Sequence, residues 1–136
     1  MRQCELEEEY TADVVIKRSE HVFTEMRDIK DWDKEVFVAF YLDTRNKIIS
    51  REVVSIGTNN CSIIDVRGTY RTAISRNANA LIICHNHPSG STEPSPEDQE
   101  VTEKLARAGE ILGIKLLDHV IVTRNGYYSF KDQGLM

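Results

Sequence analysis

The stretch Leu81 to Asp98, LIICHNHPSGSTEPSPED, constrains the fold more than any other part of the chain. Ala80 to Cys84 is an apolar run too short for a buried helix, so it reads as a buried strand. It ends in a His-x-His pair. Pro88 to Pro96 follows as a Pro/Ser/Gly-rich loop, and Ser95-Pro96-Glu97-Asp98 opens a helix: serine at the N-cap, proline at the first helical position, acids in the first turn where the helix dipole favours them. A buried strand feeding such a helix belongs to a layered α/β domain. Side chains alternate along a strand, so His85 and His87 share a face and Cys84 takes the other. Asp98, one helical turn in, is within reach of the strand end. Two histidines and a carboxylate make three protein ligands, which in a zinc site leaves a fourth position for water. A further carboxylate is then needed to move that water's proton, and the strands offer Glu35 and Glu52.

The rest of the chain alternates strand and helix signals. ADVVIK, within Tyr10 to Lys17, is a short strand candidate. SEHVFTEMRDIKDW spaces Val22, Met26, Ile29 and Trp32 as a helix behind Ser19. EVFVAFYLD and KIISREVVSIG flank TRN, predicting a hairpin over Glu35 to Gly57. A second helix is expected over Arg67 to Asn79. A third runs from Ser95 with Val101, Leu105, Ala108 and Leu112 on one face and Gly113 as its stop. KLLDHVIVT and YYSF close the chain as a hairpin through Asn125-Gly126. Asp118 and His119 are expected to form a structural hydrogen-bonded pair lining the site, and the acidic start, ELEEEY, to be a solvated tail. Hairpins at both ends argue for a mixed sheet.

At 136 residues the length suits one domain, read as spanning 1–136 with 1–33 as a short strand and helix extension. The longest apolar runs fall far short of the ~20 residues of a membrane span, and the acidic N-terminus lacks the basic start of an export signal. The cytoplasm is the expected compartment. Cys4, Cys61 and Cys84 form no CxxC pair and read as reduced thiols. A net charge of -5 does not support nucleic-acid binding, which draws on clustered Lys and Arg; the Arg67, Arg71 and Arg76 group reads as a solvated helix face.

With an upstream glutamate, HNHPSGSTEPSPED, of the form H-x-H, seven residues, S-x-x-D, resembles the JAMM (MPN+) motif of JAB-domain metalloproteases. Within that group HNHPSG, EVFVAFYLDTRNKIISREVVSIGT and LGIKLLDHVIVTRNGYYSF resemble the RadC family's C-terminal domain, a likeness covering roughly Asp33 to Phe130. The resemblance implies an α/β JAB/MPN fold, a mixed, curled sheet flanked by helices as in cytidine deaminases. It implies one zinc ion held by His85, His87 and Asp98. It further implies Glu35 as the catalytic glutamate, with Glu52 as the fallback, and Ser95 helping to hold the water or the oxyanion. A peptide or protein substrate, cut at an amide or isopeptide bond by a zinc-activated water, follows from the same likeness. Two departures qualify it: Asn86 stands where JAMM peptidases mostly carry Ser or Thr, and the residues before Glu35 leave no room for the helix-hairpin-helix module of full-length RadC proteins.

Other classes compete with the hydrolase reading. A non-catalytic accessory module in DNA repair or DNA metabolism would keep the zinc fold without needing an open water position. A structural zinc domain would need a closed site, for which Cys84 points the wrong way. A ββα-metal nuclease scatters its His and Asn over a longer segment and carries a basic face, unlike this acidic chain. Exposed hairpin edges leave dimerisation open.

Overall fold

The computed structural model describes residues 6–57 and 64–136; Cys4 and Cys61 lie outside them. Six strands, β1 (Glu8–Glu9), β2 (Val36–Leu42), β3 (Ile48–Ile56), β4 (Ala80–Asn86), β5 (Lys115–Thr123) and β6 (Gly126–Ser129), form one sheet in the order β1-β3-β2-β4-β5-β6. Every neighbouring pair is antiparallel except β4 and β5. Helices α1 (Ser19–Glu25), α2 (Val66–Ser75) and α3 (Pro96–Leu112) cover it. The mixed α/β architecture read from the sequence is the one observed.

β2 and β4 are buried on both faces, which is why they read as unbroken apolar runs. One face carries Val38, Phe40, Ile82 and Cys84 and packs on Val22, Met26 and Ile29 from α1 and the turns after it. The other carries Phe37, Tyr41, Leu81 and Ile83 and packs on Tyr70 and Ala73 of α2 and Val101 and Leu105 of α3. The result is a helix, sheet, helix sandwich. The β4-α3-β5 crossover is the single parallel connection among the described residues, and a crossover of this kind needs a helix-length link.

Five local expectations are corrected. The acidic start is no free tail: Glu8 and Glu9 pair with Arg51 and Ser50, Glu7 accepts from Val53 N, Glu9 meets Arg76, and Leu6 is fully buried. Strand pairing uses backbone groups, so charged side chains do not prevent it at an edge. ADVVIK forms only an isolated bridge, Val15 with Lys47. Ser19 is the first residue of α1 and not its N-cap, its hydroxyl donating to Asp132 instead. On α3 the buried stripe runs Val101, Thr102, Leu105, Gly109, while Leu112 is largely exposed. Gly109 is required there, since a Cβ would run into the Ile114 carbonyl. In the last hairpin Thr123 pairs with Gly126, so the turn residues are Arg124 and Asn125.

Candidate metal centre

Three chain segments meet at one end of the sheet. β4 delivers His85, and His87, one residue past its end and still bonded to Val122 of β5, meets it at the same cluster. α3 delivers Asp98 through a capping box: Ser95 Oγ accepts from Asp98 N at 3.1 Å, and Asp98 Oδ2 accepts from Ser95 N at 2.9 Å. The residue just before β2 is Glu35. One ligand-type atom from each of Glu35, His85, His87 and Asp98 lies within 4.8 Å of the others. The two Nε2 atoms are 3.0 Å apart, Asp98 Oδ1 is 3.3 Å from His85 Nε2, and Asp98 Oδ2 is 3.3 Å from His87 Nε2. Glu35 Oε1 stands 3.8 Å from His85 Nε2. Two imidazole lone pairs and a carboxylate converging on one point are a donor set that fits a divalent metal such as zinc.

The surroundings hold this set in place. His85 is fully buried and stacks on Phe37, its partner across the β2-β4 ladder, at 4.1 Å and 13°. His87 turns its Nδ1 to the Ser91 carbonyl at 2.8 Å, which leaves Nε2 for the cluster. Asn86, between the two, faces the other way: its Oδ1 accepts from Val36 N at 2.7 Å, and its Nδ2 donates to the carbonyls of Lys34 at 2.9 Å and Trp32 at 3.2 Å. Asn86 therefore clamps the backbone on both sides of Glu35. An open cleft of about 650 Å³ adjoins the cluster, lined by Lys34, Glu35, Gly57, His87, Ser91 and Glu93 among others.

Electrostatics divides the four groups. Burial raises the Glu35 carboxyl above its ordinary 4.5, with His87 pulling against it and Asp98 adding to it. Burial lowers His85 below 6.5 despite Asp98 beside it. For His87 the desolvation is outweighed by Asp98 and the Ser91 carbonyl, so it is raised. Asp98 is desolvated too, but hydrogen bonds from His85 and His87 hold it well below the usual carboxylate range.

The expected residues Glu35, His85, His87, Asp98 and Ser95 thus come together. Glu52 does not: on β3, outside the cluster, it accepts from Ser50 Oγ and from Arg76 at the end of α2. Asp118 and His119 are not a side-chain pair either. Neighbours on a strand point to opposite faces, and Asp118 takes Ser129 Oγ at 2.6 Å and the backbone N–H of Lys131 and His119. The His119 ring instead lies against His85. Asn86, marked in the sequence only as a departure from the JAMM pattern, and Thr102, which carries no signal there, are further contributors.

Fold and site define a JAB-type α/β domain carrying a possible metal-binding group. The family model described as "RadC-like JAB domain" matches residues 16–135, and the chain belongs to that family. It is similar to UPF0758 proteins of Desulforamulus reducens (46% identical over 82% of this chain and 49% of the relative), Thermotoga maritima (47%, covering 75% and 46%) and Methanosarcina mazei (45%, covering 85% and 49%). The chain spans about half the length of these curated relatives. Among the described residues no helix is long and apolar enough to cross a membrane.

Proposed function

We propose that this domain is a zinc-dependent hydrolase of a peptide, isopeptide or related amide bond. The observation that carries the reading is the convergence of His85, His87 and Asp98 with a fourth group, Glu35, that opens onto the cleft and has a raised carboxyl pKa. His85, His87 and Asp98 would hold the zinc ion, which would supply Lewis-acid chemistry and an activated water at neutral pH. Glu35 takes the proton released by the attacking water at a carboxylate oxygen and returns it to the leaving nitrogen; burial that favours its protonated form suits both halves of that task. Ser95 Oγ already accepts from Asp98 N, so its own hydrogen is left to donate to the developing oxyanion. The polar, open cleft suits an extended peptide or protein segment.

A second reading rests on the position of Glu35. Its oxygen is near enough to the other three to complete a closed, four-ligand site, which would make the metal structural and the domain an accessory module of the DNA-repair kind that the family's name suggests.

One comparison separates the two. Metal content is measured by ICP-MS on untagged wild type, His87→Ala and Glu35→Gln, followed by turnover of a panel of fluorogenic peptide amides and lysine isopeptides. The hydrolase reading expects about one zinc per chain in wild type and Glu35→Gln, none in His87→Ala, and turnover about 10²- to 10⁴-fold lower in Glu35→Gln. Loss of metal in Glu35→Gln would make Glu35 a ligand and sink the hydrolase assignment.

A further inference from the structure

Behind the metal-ligand candidates runs a buried line of polar groups. His85 Nδ1 is 2.8 Å from His119 Nε2, His119 Nδ1 is 2.6 Å from Thr102 Oγ1, and Thr102 Oγ1 donates to the Asp98 carbonyl at 3.0 Å. His85 and His119 are wholly inaccessible to solvent, and Thr102 nearly so. The His119 ring is fixed in plane by Phe130, stacked at 4.6 Å and 9°. The line starts at one ligand, His85, and returns to the backbone of another, Asp98.

We propose that His119 and Thr102 are positioning residues that set His85 in its metal-binding tautomer. The inference rests on the metal-site reading above. If His85 presents the Nε2 lone pair to a metal, its single ring hydrogen sits on Nδ1. The partner there is His119 Nε2, which must accept. The hydrogen of a neutral His119 is then on Nδ1 and goes to Thr102 Oγ1, whose own hydrogen goes to the Asp98 carbonyl. Each donor direction is forced by the one before it. A hydroxyl at the end is what closes the line, because it accepts from one neighbour while donating to another. Outer partners of ligating histidines commonly change metal affinity 10- to 100-fold.

The test measures zinc affinity by competition with a chromophoric chelator, together with histidine ¹⁵N NMR of the zinc-loaded protein. His119→Phe keeps the ring volume but neither polar end, and is expected to weaken zinc binding about 10- to 100-fold. His119→Gln, whose amide carries both an acceptor and a donor, is expected to restore most of it. Thr102→Ser should match wild type and Thr102→Val should not. In loaded wild type both His85 and His119 are expected to carry their hydrogen on Nδ1. Wild-type affinity in His119→Phe, or a hydrogen on Nε2 of His119 in the loaded protein, would overturn the proposal and leave the metal site standing. Wild type that takes up no zinc would overturn both. Should His119→Phe fail to fold, Thr102→Val and the NMR assignment decide.

Discussion

The two faces of β4 carry out different tasks with the same backbone. Toward α1, Ala80, Ile82 and Cys84 enter an apolar cluster in which shape alone matters. Toward α2 and α3, Leu81 and Ile83 begin the same way, but the next residue in that row is His85, and from there the buried groups are polar and joined to one another. Among the described residues no buried side-chain nitrogen or oxygen lacks a hydrogen-bond partner. A substitution at Ala80, Ile82 or Cys84 is therefore a packing event, whereas one at His85 or its partners also disturbs a directed set of hydrogen bonds.

Paired truncations in β2 give the sharpest break. Phe37 and Phe40 are both fully buried, on opposite faces. Phe37→Ala and Phe40→Ala should each cost about 3–5 kcal/mol in denaturant unfolding. Zinc affinity of the folded fraction should fall only for Phe37→Ala, which removes the ring stacked on His85; equal loss in both would erase the distinction between the faces. Asn86→Ala comes next. It strands the buried Val36 N–H and releases the Trp32 and Lys34 carbonyls ahead of Glu35, for about 1–3 kcal/mol. Metal should stay bound while turnover drops, because what moves is the segment carrying Glu35, read out by kcat against zinc content.

Acid sensitivity of the metal-free protein tests the polar face as a whole. Burial holds both His85 and His119 below the ordinary 6.5. Below about that pH the unfolded chain binds two protons that the folded protein refuses, so stability falls as pH drops. His87 works the other way: its raised value adds stability that is present below 6.5 and lost as pH rises through the folded value. Glu35, raised above 4.5, works in the same sense as His87, so His119, held well below 6.5, decides the sign and leaves a net loss on acidification. Unfolding midpoints taken over about pH 5 to 8 should show it, and His119→Gln should flatten the slope; stability that increases on acidification would refute this balance. The smallest effect is expected for Glu52→Gln, which disturbs a half-exposed pair with Arg76 and should shift stability by at most about 1 kcal/mol, with unchanged zinc content.

What the sequence shows of this site follows how local each signal is. The capping box at Ser95 and Asp98 and the shared face of His85 and His87 depend on neighbours a few residues away, so they are legible directly. The gathering of Glu35 depends on β2 lying beside β4, and there resemblance to a family supplies what periodicity does not. Asn86 reads as a family variation, yet its task appears only once the chain from Trp32 to Val36 is brought alongside. His119 is tied to Asp118 as expected, through its backbone N–H, but the partner of its ring, His85 on the neighbouring strand, is not legible in the sequence, because adjacency in sequence is not adjacency across a sheet. The strand at Glu8 and Glu9 is missed because side-chain polarity says little about backbone pairing at a sheet edge.

The β4-α3-β5 crossover has a further consequence. His85, His87, Asp98, Thr102 and His119 all fall within this one contiguous segment, and Glu35 alone comes from outside it. Parallel pairing closes only after a long excursion of chain, which makes it the slow element of such a sheet to form. An ion held by His85, His87 and Asp98 ties the end of β4 to the start of α3, and its binding free energy adds to the stability of that segment. Amide hydrogen exchange should therefore slow first and most in β4, α3 and β5 when metal is added, with the β2-β3 hairpin following only as far as global unfolding limits it. The site would then act as a clasp on the sheet's one parallel seam among the described residues, joining metal binding to the integrity of half the fold.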